Sequence, residues 1–463
     1  MLRFLLISFL LTANSAAARP LSITDITKSV TEHYPVILAN YNEIEAARAN
    51  LTTAQSFQDV TFRQSYKDMV RGFYDGRIYD AVLEKELGVF GAKIYGGYRK
   101  SARDFADYDG EIDTNTGGEV RSGIKLSLLQ DRDIDQNRLE VILSNIDISE
   151  SRIELEKLKM QILNDATKAY WSWVASGAIL KIYENLYNLS ITRQEQLEVR
   201  ANKGDIADII VVENRKNLLK RKSLLTRVRQ EFELSSVYLA LFYRDLQGEM
   251  QQISTKHLPD AQFNMPQIPD QETYLKNKEQ ALILRPEVKL LEADINKKSY
   301  ELKYAKNLIQ PKLDLEVGVS KDLGEGPRSI SESNNFINLD FSIPLQQREA
   351  KGKITAAKSE LSARNYQKDL LQNQIQIEIE QLMTRIEAIS EIYNLVVEEV
   401  SLAEILQVAE VEKFKNGASN FFLVNVREQE LAELQAANIE IFKDLNGALA
   451  DYQLAIFDTD IMR

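Results

Sequence analysis

Residues 413–427 read KFKNGASNFFLVNVR and contain the break that decides the fold. A long helical pattern ends here with basic residues in its last turn. Gly417 then occupies the position at which a helix end commonly adopts a left-handed backbone. Helical periodicity resumes directly afterwards. The stretch therefore predicts a tight helical hairpin with its tip at residues 415–418.

The same break occurs in the first half of the chain, where residues 202–205 read NKGD around Gly204. The segment from Asp131 to Gly204 and that from Leu345 to Gly417 are almost equal in length. Each has about 70 residues, and at about 1.5 Å per residue a helix of that length extends about 100 Å. The chain is therefore predicted to be duplicated, with one long helical hairpin in each half.

The long helices carry the apolar spacing of a coiled coil. Before the second hairpin tip, apolar residues alternate four and three positions apart, in the order Ile379, Leu382, Ile386, Ile389, Tyr393, Val396 and Val400. This spacing predicts a seam that packs against another helix. The helix after residue 131 has two such stripes. We expect it to contact neighbours on both sides, as a stave does in a wall of helices.

Two prolines mark equivalent helix starts, since proline is pre-shaped for the first helical position. Pro35 and Pro286 lie further apart in the sequence than the two hairpin glycines do. The first half therefore holds extra residues, mostly between about 56 and 87, to which we assign no structure. The predicted organisation is a signal peptide at 1–18, a first repeat at 19–247, a linker at 248–270 and a second repeat at 271–463.

Residues 1–18 have the features of a secretory signal sequence. Arg3 precedes an apolar stretch at 4–13, and three alanines at 16–18 form a small-residue cleavage site. This apolar stretch is too short for a transmembrane helix, which needs about 20 residues. The chain has no cysteine, which excludes disulfides and a lipid-bearing thiol. We therefore expect an exported protein.

Four shorter stretches alternate apolar and polar residues with period two, at 90–99, 119–129, 313–320 and 336–343. Each is close to the length of about ten residues that a tilted strand needs to cross a bilayer. Their polar positions include four basic and four acidic residues: Lys93, Arg99, Arg121, Lys125, Glu119, Asp314, Glu316 and Asp340. We interpret these eight residues as lining the lumen of a transmembrane β-barrel. An ordinary antiparallel sheet in a soluble domain is the alternative interpretation.

Four strands cannot close a barrel by themselves, and an open sheet edge is not tolerated in lipid. The helices with two apolar stripes also need neighbours on both sides. Both features point to a ring-shaped homo-oligomer whose strands contact membrane lipid.

The chain resembles the TolC-like outer membrane efflux protein family. The resemblance rests on the duplicated hairpin plan, the helix start Arg285-Pro286-Glu287, the segment 305–315 that runs through Gln310-Pro311, and the stretch 417–427. It implies a homotrimer with a twelve-stranded outer membrane barrel and a long periplasmic tunnel. The implied fold is mainly α with a small β part: duplicated long helical hairpins form a periplasmic α-barrel, and four strands per chain contribute to a trimeric transmembrane β-barrel.

The resemblance also implies partners. The hairpin tips would dock on a periplasmic adaptor, or membrane fusion protein, and through it on an inner membrane transporter. The tip residues are Gly204, Asp205, Asp208, Gly417, Ala418, Ser419 and Asn420. Members of the family commonly carry acidic residues shortly after each tip glycine, but here the sixth positions after the glycines are Ile210 and Leu423. We therefore expect a gate that is apolar or built from amides.

Other functions are disfavoured by composition. The chain has 57 Lys+Arg against 69 Asp+Glu, a net charge of −12, which argues against nucleic acid as a partner. We interpret the basic run at 215–229 as a solvated helix face. The two histidines, His33 and His257, lie far apart in sequence, so we expect no metal site and no cofactor. No catalytic triad or phosphate-binding loop is evident, and we expect no enzyme activity.

The sequence is compatible with two functions of different classes. The first is an outer membrane channel-tunnel that exports substrates in efflux or type I secretion. The second is a structural periplasmic coiled-coil scaffold without transport activity, in which the strands form a soluble cap. The alternating strands favour the channel, because a scaffold has no need of long strands with charges on one face.

Overall fold

The computed structural model describes residues 19–71, 76–102, 113–260, 263–327 and 331–458. The predicted signal peptide at 1–18 lies outside these ranges. The described chain falls into two compact units. Unit 1 comprises Met1–Ala39, Leu155–Pro286 and Gln372–Arg463, and unit 2 comprises Asn40–Glu154 and Glu287–Leu371, in each case as far as described. Each unit therefore combines segments from both sequence repeats.

The described residues form eight α-helices, of which α3 and α7 are far longer than the others. They are α1 (Ile23–His33), α2 (Pro35–Gln55), α3 (Gln136–Asn202), α4 (Asp208–Ala240), α5 (Gln271–Leu284), α6 (Pro286–Asn307), α7 (Arg348–Lys415) and α8 (Phe421–Ala455). Helices α3 and α7 have 67 and 68 residues, and they lead into the two predicted hairpins. The prediction of duplicated long helical hairpins is confirmed. No helix within the described ranges is both long enough and apolar enough to span a bilayer.

The core of unit 1 contains the predicted seam of α7. Ile375, Ile379 and Ile386 are almost completely buried, at the spacing of four and seven that one face of a helix requires. Trp173 of α3 and Leu445 of α8 are also fully buried. Burial of large side chains at coiled-coil spacing stabilises helices whose individual propensities would not suffice.

Unit 2 contains a six-stranded antiparallel sheet in the order β1-β2-β3-β4-β5-β6. Its strands are β1 (Thr61–Asp68), β2 (Arg77–Glu86), β3 (Lys93–Ala102), β4 (Glu119–Ser127), β5 (Lys312–Asp322) and β6 (Ser333–Ser342). The four predicted strands correspond to β3 to β6, and their boundaries differ only slightly from the predicted ones.

The number of strands predicted from the sequence was too small, because β1 and β2 fall in the extra residues of the first half. Their alternation is poor for a physical reason. Gln64 and Asp68 interrupt the apolar positions of β1, and Tyr79, Ala81, Val82 and Leu83 place apolar residues on both faces of β2. Period two, on which the strand prediction depends, is therefore weak in this hairpin.

Candidate functional site

The pairing register gives the sheet two chemically different faces. One, the apolar face, carries aliphatic and aromatic side chains from all six strands, because Ile94 lies opposite Ile124, Leu126 opposite Leu315, and Leu315 opposite Leu339. Its members include Phe62, Tyr66, Leu83, Ile94, Ile124, Leu126, Leu315, Val317, Ile337, Leu339 and Phe341. Successive residues of a strand point to opposite faces, so the intervening residues form the second face.

The burial of the two faces is the reverse of that in a water-soluble sheet. In the central strands β3 to β5, Ile94, Val120 and Val319 of the apolar face are 40%, 47% and 49% exposed. On the other face of the same strands, Glu119, Ser320 and Asp322 are only 8%, 7% and 8% exposed. Large apolar side chains are exposed here without any cover from the described chain, while an acidic side chain is sheltered. This distribution suits an apolar surrounding medium on one side and a polar interior on the other.

The second face, which we call the charged face, holds a ladder of ion pairs. Arg99 bonds Glu119 at 2.7 Å, Arg121 bonds Asp80 at 2.6 Å, and both pairs join neighbouring or next-neighbouring strands. Lys93 pairs with Glu86 at 2.8 Å and Lys125 with Asp314 at 3.5 Å. The Tyr95 hydroxyl donates to Glu316 over 2.7 Å. Cross-strand pairs of opposite charge are a recognised source of sheet stability.

All eight residues predicted for the barrel lumen lie on this charged face. The register places Lys93 opposite Lys125, Arg99 opposite Glu119, and Asp314 opposite Asp340. The acidic partners of Arg121 and Lys93, Asp80 and Glu86, lie in β2, which sequence reasoning missed. The sequence feature that could have revealed Asp80 and Glu86 is their even spacing, which places both on one face of a strand. Residues 77–86 were not recognised as a strand, so this feature went unused. In the part of the chain that the structure describes, no three potential metal ligands form a group.

The two hairpin tips have the same backbone geometry. Gly204 and Gly417 have φ of +81° and +75°, in the left-handed region that favours glycine. In the first tip, Gly204 N–H donates to the Ala201 carbonyl and Asp205 N–H to the Arg200 carbonyl. In the second, Gly417 and Ala418 make the equivalent bonds, so both helices end in a Schellman motif. A Cβ on either glycine would meet no atom within 4 Å, so both tips are open to solvent.

The remaining predicted tip residues are arranged differently in the two hairpins. Asn420 accepts the Leu423 N–H at 2.9 Å and caps α8, while Ser419 donates to Glu410. Ala207, the equivalent of Asn420, provides no side-chain cap for α4. Asp205 and Asp208 are exposed, with Asp208 in the first turn of α4, where its charge is favourable.

The apolar positions after the glycines also form part of the tips. Ile210 is half-buried and Leu423 is exposed, as are their preceding neighbours Ile209 and Phe422. Each helix that leaves a tip therefore begins with an exposed large apolar side chain at the same repeat position. The expectation of an apolar or amide gate stays a prediction.

A buried cluster of charges connects the two hairpins near their tips. Glu428 of α8 bonds Arg193 of α3 through both carboxylate oxygens at 2.6 Å and contacts Arg221 of α4 at 3.3 Å. Arg221 is 3% exposed and Glu428 is 4% exposed. Arg221 also donates to the Ser190 hydroxyl, at 2.5 Å. Burial lowers the pKa of Arg221, and the adjacent Glu428 carboxylate acts in the opposite direction.

The interpretation of residues 215–229 as a solvated basic face was wrong at one position. Arg215, Lys220 and Lys222 are exposed, as expected, but Arg221 points into the packed helices. Sequence spacing gave a usable clue, because Arg221 shares a face with buried Asn214 and Leu225, seven positions before and four after it. The charge of the side chain concealed its position on the buried stripe.

Several solved structures have the same overall fold as this chain. The chain aligns with the outer membrane protein VceC of Vibrio cholerae with a TM-score of 0.63 and 15% identity, over 94% of this chain and 95% of that one. It has the fold of outer-membrane channels. The CmeC outer membrane channel of Campylobacter jejuni matches with a TM-score of 0.61 and 13% identity, over 94% and 85% of the two chains.

The open state of the MtrE outer membrane channel of Neisseria gonorrhoeae also shares this channel fold, with a TM-score of 0.63 and 10% identity, over 94% and 88% of the chains. No protein-family model and no curated protein sequence matches the chain. At these low identities the likeness concerns the fold. The similarity to TolC-like proteins inferred from sequence motifs is confirmed at that level.

Proposed function

We propose that this chain is the subunit of a homotrimeric outer membrane channel-tunnel that exports substrates out of the cell. The observation that carries the proposal is the reversed polarity of the central strands of the sheet, in which the apolar face is exposed and the charged face is sheltered. The channel fold shared with VceC, CmeC and MtrE supports the same function.

The apolar face supports a location in lipid. Side chains such as Ile337, Leu339 and Phe341 would be costly to leave in water over so wide an area. A hydrocarbon environment removes that cost, and β1 to β6 are close to the length of about ten residues that crosses it when tilted. The charged face then borders an aqueous passage, in which ion pairs remain hydrated.

Unpartnered helix surfaces in unit 1 support assembly with further copies. On α7, Ile377, Leu395 and Ile405 are exposed although the opposite face of the helix is buried. On α4, Leu219, Leu234 and Val237 are exposed in the same way. Long helices with apolar residues on two sides are suited to a closed ring, in which each helix packs between two others.

The hairpin tips are the proposed docking site for a periplasmic adaptor, which would link the channel to an inner membrane transporter. The supporting features are two open turns of identical geometry, each followed by an exposed apolar side chain, Ile209 or Phe422. Paired sites of this kind offer a repeated surface to a partner that binds around a ring. The charges on the sheet are balanced in sign, so they predict no strong ionic preference for the exported substrate.

Cell fractionation and bilayer recording test the channel. We expect the protein in the outer membrane fraction as a trimer that dissociates on heating, and we expect the purified trimer to conduct ions across a planar bilayer. Recovery in the soluble periplasmic fraction, without a heat-sensitive trimer, would instead favour the coiled-coil scaffold and contradict this proposal.

Site-directed cross-linking tests the docking site. The chain has no native cysteine, so single cysteines at Asp205 or Ser419 report only on the tips. We expect both to cross-link to the adaptor in cells. Glu332, in the segment before β6, serves as the matched control and should give no adaptor product. Cross-linking from Glu332 but not from the tips would reverse the proposed orientation.

A further inference from the structure

Strands β1 and β2 are an integral part of the sheet. Strand β2 pairs with β3 along its whole length, from Arg77 opposite Ala102 to Glu86 opposite Lys93. Two ion pairs of the charged face, Arg121 with Asp80 and Lys93 with Glu86, join β2 to β3 and β4. The apolar face likewise continues onto the hairpin through Leu83 and Phe62. The hairpin therefore has the same two-sided character as the four strands recognised from the sequence.

The two edges of this sheet need partners if it lies in a membrane. Within the described residues, no strand pairs with the outer edge of β1 or with that of β6. Backbone groups left unpaired in hydrocarbon are very unfavourable, and six strands are fewer than the eight of the smallest transmembrane barrels. Because the number of strands is even and all pairs are antiparallel, β6 of one copy runs opposite to β1 of the next.

The stagger of the strands fixes how such edges would meet. A path at right angles to the strands starts at Thr61, the first residue of β1, and passes through Glu84, Tyr95, Gly123 and Gly318 to Phe336. Because β1 and β6 run in opposite directions, Thr61 and Ser342 lie at the same end of the sheet. The path from Thr61 nevertheless reaches β6 at Phe336, six positions before Ser342. The stagger is thus about one residue per strand, which corresponds to a strand tilt of about 35°, the value found in transmembrane barrels.

We propose that three copies close a barrel of eighteen strands, in which β1 of each copy pairs with β6 of its neighbour and Thr61 lies opposite Ser342. The inference rests on the trimer of the proposed function. This register pairs every residue of β1 and keeps apolar residues on one face, with Phe62 opposite Phe341. It also places Arg63 opposite Asp340. In the single chain Arg63 pairs with Glu84 and Asp340 lies 4.0 Å from Lys125, yet the two side chains are still 68% and 69% exposed.

The added hairpin changes the size of the passage. Backbone diameter increases with strand number, so eighteen strands enclose about 34 Å where twelve strands at the same tilt would enclose about 23 Å. The first-half insertion thereby widens the outer membrane part of the channel by a factor of about 1.5.

Cysteine cross-linking between β1 and β6 tests the closure. Ser65 and Asn338 face each other in the proposed register, on the charged face. We expect the variant S65C with N338C to form covalent dimers and trimers on mild oxidation. The matched control, S65C with N334C, separates the cysteines by four further positions, about 13 Å along the strand, and should stay uncross-linked.

A second pair of cysteines tests the alternative that the barrel closes without the β1–β2 hairpin. If β3 rather than β1 met β6, twelve strands would close the barrel and Lys93 would lie opposite Ser342. We expect K93C with S342C to give no covalent trimer. Cross-linking of that pair, or none from S65C with N338C in a heat-sensitive outer membrane trimer, would overturn the inference and leave the proposed function intact. A cysteine-free parent that forms no such trimer would overturn both.

Discussion

The two helical hairpins have the same backbone geometry at their tips but different side chains in the helices behind the tips, which we call the stems. Both tips end in the same Schellman bonds around a left-handed glycine, at equivalent positions of the two repeats. Behind the tips, the first hairpin provides Arg193 and Arg221, while the second provides Glu428. At the equivalent repeat positions stand Leu406, Leu434 and Arg215. The duplicated backbone geometry is therefore retained where it forms a turn, and the side chains have diverged where the hairpins contact each other.

This difference shows which part of the repeat is free to vary. A turn with positive φ admits few residues, so glycine stays in both halves. A contact between two hairpins needs complementary surfaces, and identical surfaces would bring like charges together. One carboxylate between two guanidinium groups connects the first hairpin to the second only if the halves are unlike.

Removing the carboxylate of the buried cluster should have the largest effect. In Glu428→Ala, Arg193 and Arg221 lose their counter-charge while they remain packed, and breaking a buried ion pair in this way costs about 3–5 kcal/mol. Thermal unfolding of the purified trimer measures the loss. The matched control is Arg215→Ala, at the equivalent position of the first hairpin, where an exposed side chain should matter by less than about 0.5 kcal/mol. Equal losses in the two variants would refute the asymmetry.

The sheet should behave alike in the two halves, in contrast to the stems. Leu126 and Leu339 are equivalent repeat positions on the apolar face. Arginine at either one should impair assembly in the outer membrane by about 2–4 kcal/mol if the site lies near mid-bilayer. The neighbouring changes Lys125→Gln and Asn338→Ser, on the charged face, should be tolerated. An assembly assay in which all four variants behaved alike would show that the faces are wrongly assigned.

The tip glycines should be equally sensitive to a Cβ, because both have positive φ. Gly204→Leu and Gly417→Leu each force a side chain into the left-handed region, at a cost of about 1–2 kcal/mol. Open space around both positions predicts that trimers still form. Export should nevertheless be abolished in Gly417→Leu, because the proposed adaptor surface is altered. Normal export by Gly417→Leu at normal expression levels would show that the tip is not part of the docking site.

The helix caps should show the smallest asymmetry. Asn420→Ala removes the side-chain acceptor for the Leu423 N–H and should destabilise α8 by about 1 kcal/mol. The reciprocal change Ala207→Asn adds the missing cap to α4 and should stabilise it by a similar amount, about 1 kcal/mol. Hydrogen exchange of the first-turn amides measures both changes. If Ala207→Asn left the exchange rates of the α4 amides unchanged, other contacts would already stabilise the start of that helix.

The sequence predicted the features that depend on strong local signals. Helical periodicity over about 70 residues, followed by a glycine, specifies a hairpin tip, as at Gly204 and Gly417. Clean alternation placed β3 to β6 and assigned all eight charges to one face. Strand β2 was missed because adjacent apolar residues such as Ala81 and Val82 face opposite sides of the sheet, which removes the alternation.

Long-range contacts were not accessible in the same way. The pairing of Arg193 and Arg221 with Glu428 joins residues that lie more than 200 positions apart, across the duplication. A basic residue within a basic run is usually solvated, so nothing in the composition singled out Arg221. Only its spacing from Asn214 and Leu225 placed it on the buried stripe, and that pattern becomes meaningful once the packing of α4 is known.

Cysteine accessibility along β6 tests directly whether the sheet forms a channel wall with lipid outside and water inside. Single cysteines replace residues 336 to 341 in turn, and a membrane-impermeant maleimide is applied to outer membranes. We expect a period of two: Phe336, Asn338 and Asp340 are labelled, while Ile337, Leu339 and Phe341 are protected until detergent is added. Labelling of all six positions without detergent would place both faces of the sheet in water and would exclude a channel wall in lipid.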